Sequence, residues 1–197
     1  FLVPTILSLH IPMLTLVMAL AVAKGIRQTL GRDSREAAAK VGIKWPNDIV
    51  VDGKKVCGIL TEMSMEQGYI HHIVIGVGIN VRRQEFSEEI RERAAAIDEQ
   101  CGFCISRSQL IADIMEAFEE DYEIFLQTHD LKGLRDSYAK LLLNQDREVC
   151  VLDPKGEYRG IARGINDQGE LIVERQDGTV EEVYAGEVSV RGIYGYV

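Results

Sequence analysis

Three short runs carry residues that could do chemistry. The first is Lys44-Trp45-Pro46-Asn47-Asp48, which gathers an ammonium, an amide and a carboxylate within one pentapeptide. Pro46 removes a backbone donor and pushes Trp45 out of the helical region, so a strand must end or turn there. Asn47 and Asp48 then stand at a strand-to-turn corner, where their side chains can cap backbone groups or face a ligand. The second run is Gly53-Lys54-Lys55-Val56-Cys57-Gly58-Ile59-Leu60. Successive side chains on a strand point to opposite faces, so one of the two lysines can enter a site; both as solvated edge-strand charges is the other reading. Gly58 weakens an otherwise apolar strand, which marks a bulge or the close approach of a ligand. The third run is Ile75-Gly76-Val77-Gly78-Ile79-Asn80-Val81. It is no dinucleotide fingerprint, because the third glycine is missing and no helix opens there. It offers either a sheet bulge or bare backbone against which a flat ring could lie. The Asn80 amide, both donor and acceptor, suits an adenine edge.

Other reactive side chains read as structural. Cys101-Gly102-Phe103-Cys104 has the spacing of half a zinc knuckle without a second pair, and Cys57 and Cys150 stand apart, so incidental thiols in a reducing compartment are expected and no metal site. His71 and His72 are neighbours on a strand and so face opposite sides, which argues against a shared metal. Trp45 reads as packing. Arg82 and Arg83 follow Asn80 and are either phosphate-steering groups or solvated loop charges.

The elements that must position these residues follow from periodicity. Residues 12–30 predict a helix, with Pro12 at its start, Leu14, Val17, Met18, Ala21 and Val22 in one stripe, and Gly31 to end it. A short polar-apolar stretch at 34–40 leads to strands at 41–45, 49–51, 55–65 and 69–77, with tight turns at Asp52-Gly53 and Gln67-Gly68. Helices are predicted at 87–99, 106–127 and 130–143. From Arg147 the texture changes to short runs at 148–152, 158–165, 170–174, 180–184 and 188–191, separated by Gly-containing turns, which suggests a small β-barrel. The domain boundary falls near 144–146, giving units 1–145 and 146–197.

The chain has 197 residues, 46% apolar and 27% charged, with a formal net charge of −9. That is a folded, soluble composition whose bulk field repels nucleic acid, so any anionic substrate must meet a local cluster of Lys and Arg. The longest apolar run, 11–23, is too short to span a bilayer and lacks the flanks of a leader, so no membrane anchor and a cytoplasmic protein are expected.

In this order and spacing, Lys-Trp-Pro-Asn-Asp, Lys-x-x-Gly-Ile-Leu and Gly-x-Gly-Ile-Asn closely resemble the biotin protein ligase family. The resemblance runs on through the helices to Gly186-Glu187-Val188-Ser189-Val190-Arg191. It implies an α+β fold: a class II aminoacyl-tRNA-synthetase-like catalytic domain followed by an SH3-like barrel. It implies ATP-dependent activation of biotin to biotinyl-AMP, with Mg²⁺ on the nucleotide, and transfer to a lysine of a biotin carboxyl carrier protein. Lys55 matches the family's lysine that contacts both the biotin carboxylate and the α-phosphate, and Lys44 a second site lysine. Asp48 matches a carboxylate implicated in catalysis, and Gly58 a backbone position at the biotin pocket. Asn47, Gly78, Asn80 and Arg191 match nucleotide-side positions, and Glu187 a carrier-facing one. A homodimer is compatible with this family.

The family carries a Gly/Arg-rich loop and further strands upstream of Phe1, so the sequence reads as a piece of a longer protein. Three alternatives remain: a lipoate ligase, against which the complete motif set argues; a regulator with biotinyl-AMP as corepressor, which needs an upstream DNA-binding helix-turn-helix; and an SH3-like adaptor, for which Tyr184, Tyr194 and Tyr196 are too sparse. Contact with nucleic acid by this portion is not expected.

Overall fold

The helix predicted from the longest apolar run is the centre of the molecule. In a computed structural model that describes residues 11–66, 69–153, 156–185 and 189–192, helix α1 spans Ile11–Gly31. Leu16, Val17, Ala19, Leu20, Ala21, Val22 and Ala23 are all buried, so α1 is enclosed nearly all round rather than along one stripe. By length and composition it could cross a membrane, but the protein itself covers its apolar surface.

Helix α2 (Arg35–Ala39), capped by the Ser34 hydroxyl, leads into an antiparallel four-stranded sheet. Its strands, in spatial order, are β1 (Val41–Lys44), β2 (Asp48–Val51), β3 (Lys54–Glu66) and β4 (Tyr69–Ile79). Ile43, Ile49, Cys57 and Ile59 join α1 in the core. Asp52-Gly53, with positive φ at both residues, closes the tight turn between β2 and β3. Helix α4 (Arg107–Thr128) packs along α1, capped by Ser106 at its start and by His129 in the left-handed region at its end. The two helices meet at Gly25, where a Cβ would stand 2.5 Å from the Ile114 side chain and 2.7 Å from its backbone nitrogen. Two buried carboxylates tie them further. Asp113 accepts from Arg32, Thr29 and Gln109, and Asp121 lies 2.5 Å from the Lys24 ammonium.

Two of the predicted helices are largely something else. Within 87–99 only the start of a five-residue helix, α3 (Ile97–Cys101), is helical. Ser87 to Arg93 form turns, and residues 93–95 run beside β3, with Lys55 N–H donating to the Arg93 carbonyl (2.7 Å) and Ala95 N–H to that of Lys55 (3.0 Å). Three alanines favour a helix locally, yet pairing to a strand that needs a partner wins. Residues 130–143 hold only α5 (Arg135–Ala139): residues 130–134 form bends and turns, and the segment at 141–143 pairs in parallel with Ile43.

The second sheet is five-stranded and antiparallel: β5 (Glu148–Leu152), β6 (Tyr158–Ile165), β7 (Leu171–Arg175), β8 (Val180–Val183) and β9 (Ser189–Gly192), in the order β8-β7-β6-β5-β9. The predicted strand runs fall on these five. The whole is an α+β fold. The second sheet is joined to the first part of the molecule by its β6–β7 turn. There the Asp167 carbonyl accepts from Leu131 N–H (2.8 Å), and the Asp167 carboxylate pairs with Arg135 (2.7 Å).

Candidate functional site

The pentapeptide at 44–48 forms the turn between β1 and β2, and its conformation follows from what surrounds Trp45. That side chain is fully buried; its backbone N–H donates to Asn144 Oδ1 and its indole Nε1–H to the Gly169 carbonyl, both at 2.9 Å. Trp45 is therefore packing, as expected, and it joins this turn to the second sheet. The Trp45–Pro46 peptide is cis. Asn47 closes the corner against β3: its Nδ2 donates to the Ile59 carbonyl (2.8 Å), and Ile59 N–H donates to the Asn47 carbonyl (3.0 Å).

The strand register then brings the charged residues together. Asp48 lies directly opposite Lys44 in the hairpin and opposite Gly58 on β3, and Gly58 lies opposite Gly78 on β4. The Asp48 side chain is 8% exposed, with Lys55 Nζ 2.5 Å from Oδ1 and Lys44 Nζ 3.8 Å from Oδ2. Two ammonium groups around one carboxylate leave a local positive charge in an acidic chain. Lys55 reaches Asp48 by lying over Gly58: a Cβ there would stand 3.2 Å from both Lys55 Cε and Nζ. The group that approaches Gly58 most closely is thus the site's own lysine. A bulge places it, because Val50 faces Lys55 and Ile49 faces Cys57.

No bulge occurs at Gly76 or Gly78, where the β3–β4 register is regular. With Asp48 and Gly58 in one cross-strand row, these glycines leave a bare, exposed sheet face beside the Lys55 ammonium, with Leu60 (63% exposed) and Val74 (52%) flanking it. The opposite face, with Ile73, Ile75, Val77 and Ile79, lines an apolar cleft of about 440 Å³ against α1 and α4. That larger cleft is lined by no charged group among the described residues and lies across the sheet from Lys55. A smaller cleft of about 240 Å³ adjoins the corner, lined by Thr15, Pro46, Asn47, Leu60, Thr61 and Ala185 among others. Thr15, Thr61 and Ala185 had no signal in the sequence, since each comes from a different element.

The remaining candidates are more scattered. Asn80 joins the frame through its backbone, N–H to the Val56 carbonyl at 2.8 Å, while its Oδ1 accepts from Gln84 at 2.9 Å. Arg82 is paired to Asp98 at 2.5 Å, which raises its pKa further. Arg191 sits in β9 opposite Cys150, its side chain outside the described residues, as Glu187 is altogether. Burial pushes the Cys57 thiol up to about 12, with Asp48 adding to the effect, so it is a packed thiol and no nucleophile. Cys101 and Cys104 are free, and burial raises Cys101. Among the described residues no three His, Cys, Asp or Glu come together around a common point.

Comparison with known proteins supplies the context. Residues 2–80 match the biotin/lipoate A/B protein ligase family, and residues 146–191 match the biotin protein ligase C terminal domain. The chain is 36% identical over 184 residues to the bifunctional ligase/repressor BirA of Bacillus spizizenii, covering 91% of this chain and 53% of that protein. It is 33% identical over 178 residues to the BirA of Salmonella typhimurium, covering 90% and 53%. The biotin protein ligase of Aquifex aeolicus, solved in complex with biotin and ATP, superposes with a TM-score of 0.76 at 26% identity, covering 92% of this chain and 72% of that one. The chain spans about half the length of the curated relatives it matches.

Proposed function

The chain belongs to the biotin protein ligase family, and we propose that it carries the nucleotide-side machinery for joining biotin to protein. In this reading ATP and biotin give biotinyl-AMP and pyrophosphate, and the biotinyl group passes to a lysine of a biotin carboxyl carrier protein. The observation that carries it is the Lys55 ammonium, clamped 2.5 Å from Asp48 above Gly58 and next to a bare glycine face.

The first step brings two anions together, since a biotin carboxylate oxygen attacks the α-phosphorus as pyrophosphate leaves. At roughly 4 Å and an effective dielectric of about 20, one such unit of repulsion is about 4 kcal/mol. An ammonium held between the two offsets a term of that size and stabilises charge growing on the phosphoryl oxygens. Lys55 is assigned that place and Lys44 the adjoining one. Asp48 holds both lysines in position, and in the second step it orients the incoming carrier amine or takes its proton as AMP leaves. Gly78 gives the flat parts of the adenylate close access to the sheet, with Asn47 and Asn80 at its edge, and Gly58 serves the biotin end by leaving Lys55 room to reach Asp48. Among the described residues no three His, Cys, Asp or Glu come together, so Mg²⁺ is assigned to the nucleotide phosphates, whose charge it would offset.

The first unit, 1–145, is read as class II synthetase-like and the second, 146–197, as an SH3-like barrel that presents Arg191 and Glu187 to nucleotide and carrier. Supporting this are the two separate antiparallel sheets and the separate family match that begins at residue 146. The free cysteines fit a cytoplasmic protein. A homodimer that contacts no nucleic acid through this portion belongs to the same reading. A second reading is favoured by the ligase/repressor names of the relatives: biotinyl-AMP bound here would also act as corepressor of the longer protein, visible as biotin-dependent retardation of operator DNA. The main proposal is tested by ATP–pyrophosphate exchange in the full-length protein. Exchange dependent on biotin is expected, and exchange that requires lipoate instead would overturn it.

A further inference from the structure

Two consecutive histidines on a regular strand cannot meet, because successive side chains alternate between faces. His71 and His72 nevertheless have their Nδ1 atoms 2.9 Å apart, with ring centroids separated by 5.2 Å and planes inclined at 71°. The cause is in the pairing of β3 with β4. Ser64 lies opposite His72 and Met65 opposite Ile70, so His71 is an extra residue on β4. An extra residue of this kind breaks the alternation locally and re-aims its side chain, which is how the two imidazoles reach the same side. Both rings are exposed to solvent.

We propose that this bulge makes His71 and His72 a bidentate site for a late divalent transition ion of tetragonal geometry, Ni²⁺ or Cu²⁺. The spacing fits that geometry. With metal–nitrogen bonds of about 2.05 Å, two ligands at a right angle are separated by about 2.9 Å and two at the tetrahedral angle by about 3.3 Å. The observed 2.9 Å is the right-angle value. Imidazole nitrogen suits both ions, and the same ring atom on each histidine faces the other, so one cation can replace the proton that two such nitrogens must otherwise share. No third His, Cys, Asp or Glu joins the pair among the described residues, so water completes the coordination. The site lies six pairs along the β3–β4 ladder from Gly58 and Gly78, roughly 20 Å at strand rise, and is separate from Lys55 and Asp48.

The test is calorimetric titration of the full-length protein with Ni²⁺. Binding of one ion at this site is expected, weakened at least tenfold in both His71→Ala and His72→Ala, since losing a direct ligand costs no less than the roughly 10–100-fold lost with an outer-shell partner. His10→Ala, His129→Ala and Cys104→Ser, which probe the competing donors, retain it. Ni²⁺ binds more tightly than Zn²⁺. Cu²⁺ bound at the site gives an electron paramagnetic resonance spectrum with two coupled nitrogens. Both histidine variants keep wild-type biotin-dependent exchange, so failure of this site and failure of the proposed activity are told apart. No saturable Ni²⁺ binding, binding indifferent to both histidine substitutions, or binding abolished by Cys104→Ser overturns the assignment.

Discussion

Replacing Gly58 by Ala isolates the positioning of Lys55 from the stability of the sheet. The new Cβ would stand 3.2 Å from Lys55 Cε and Nζ and 3.8 Å from Asp48 Oδ1. The first two contacts are a few tenths of an ångström too short, compared with an optimum of about 3.5–4.0 Å. The obstructing atoms are the far end of a flexible side chain, so Lys55 moves rather than the backbone. For stability the terms nearly cancel. Gly→Ala at a compatible backbone position gains about 0.4–1 kcal/mol through the unfolded state. A displaced ion pair whose lysine side chain is 34% exposed loses a similar amount, about 0–1 kcal/mol. For catalysis they do not cancel: a shift of about 1 Å in a positioned group costs about 10²-fold in rate, so a displacement of a few tenths of an ångström costs about 5–10-fold. Urea unfolding of the variant is therefore expected within about 1 kcal/mol of wild type, while biotin-dependent pyrophosphate exchange falls about 5–10-fold. In a Lys55→Ala background the same substitution has no further effect on exchange, because the group it displaces is gone. Wild-type exchange in Gly58→Ala, a further loss in the double variant, or destabilisation by several kcal/mol would each refute the reasoning.

Three further outcomes follow from the packing. Arg32, with Thr29 and Gln109, holds the Asp113 carboxyl at about 2, below its ordinary 3.8. A depressed carboxyl stabilises above the unfolded pKa and loses that contribution as pH falls from about 4 to about 2. The amount is at most about 2 kcal/mol, reduced by solvent around half-exposed Arg32, and acid unfolding of Asp113→Asn should lack this limb. Burial raises Asp121 while Lys24 opposes it; Lys24→Met removes the opposition and leaves a buried charge, costing about 3–5 kcal/mol at neutral pH. Because the raised carboxyl is neutral in acid, that cost shrinks as pH is lowered, and thermal melts at pH 7 and pH 4 measure the difference. Trp45→Phe keeps the packing but orphans the buried Gly169 carbonyl, with an expected loss of about 1–3 kcal/mol by denaturant titration and loosened protection of the β6–β7 turn in hydrogen exchange.

Much of the site was legible because its signals are local. Pro46 must end a strand, Asp52-Gly53 must turn, and glycines at 58, 76 and 78 leave backbone bare wherever the strand lies. These residues place Lys44, Asp48 and Lys55 on adjoining strands of a meander. Helix periodicity located α1 and α4 to within a residue or two at each end, since each buries enough apolar surface to set its own phase. The five strands of the second sheet were visible in their turn spacing.

Pairing across long sequence separations was not legible. The stretch at 87–99 has helical composition, but Arg93 and Ala95 bond to Lys55, and a strand's need for partners outweighs the few tenths of a kcal/mol per residue that propensity supplies. The same competition, with Ile43, ended the helix predicted at 130–143 before its last residues. Alternation along a strand separated His71 from His72, and only the extra residue in the β3–β4 register put them side by side. The residue types that the proposed handling of two anions calls for were thus determined by the sequence. Which ammonium reaches which carboxylate was decided by register, because a one-residue bulge and a missing Cβ at Gly58 let Lys55 fold back onto Asp48.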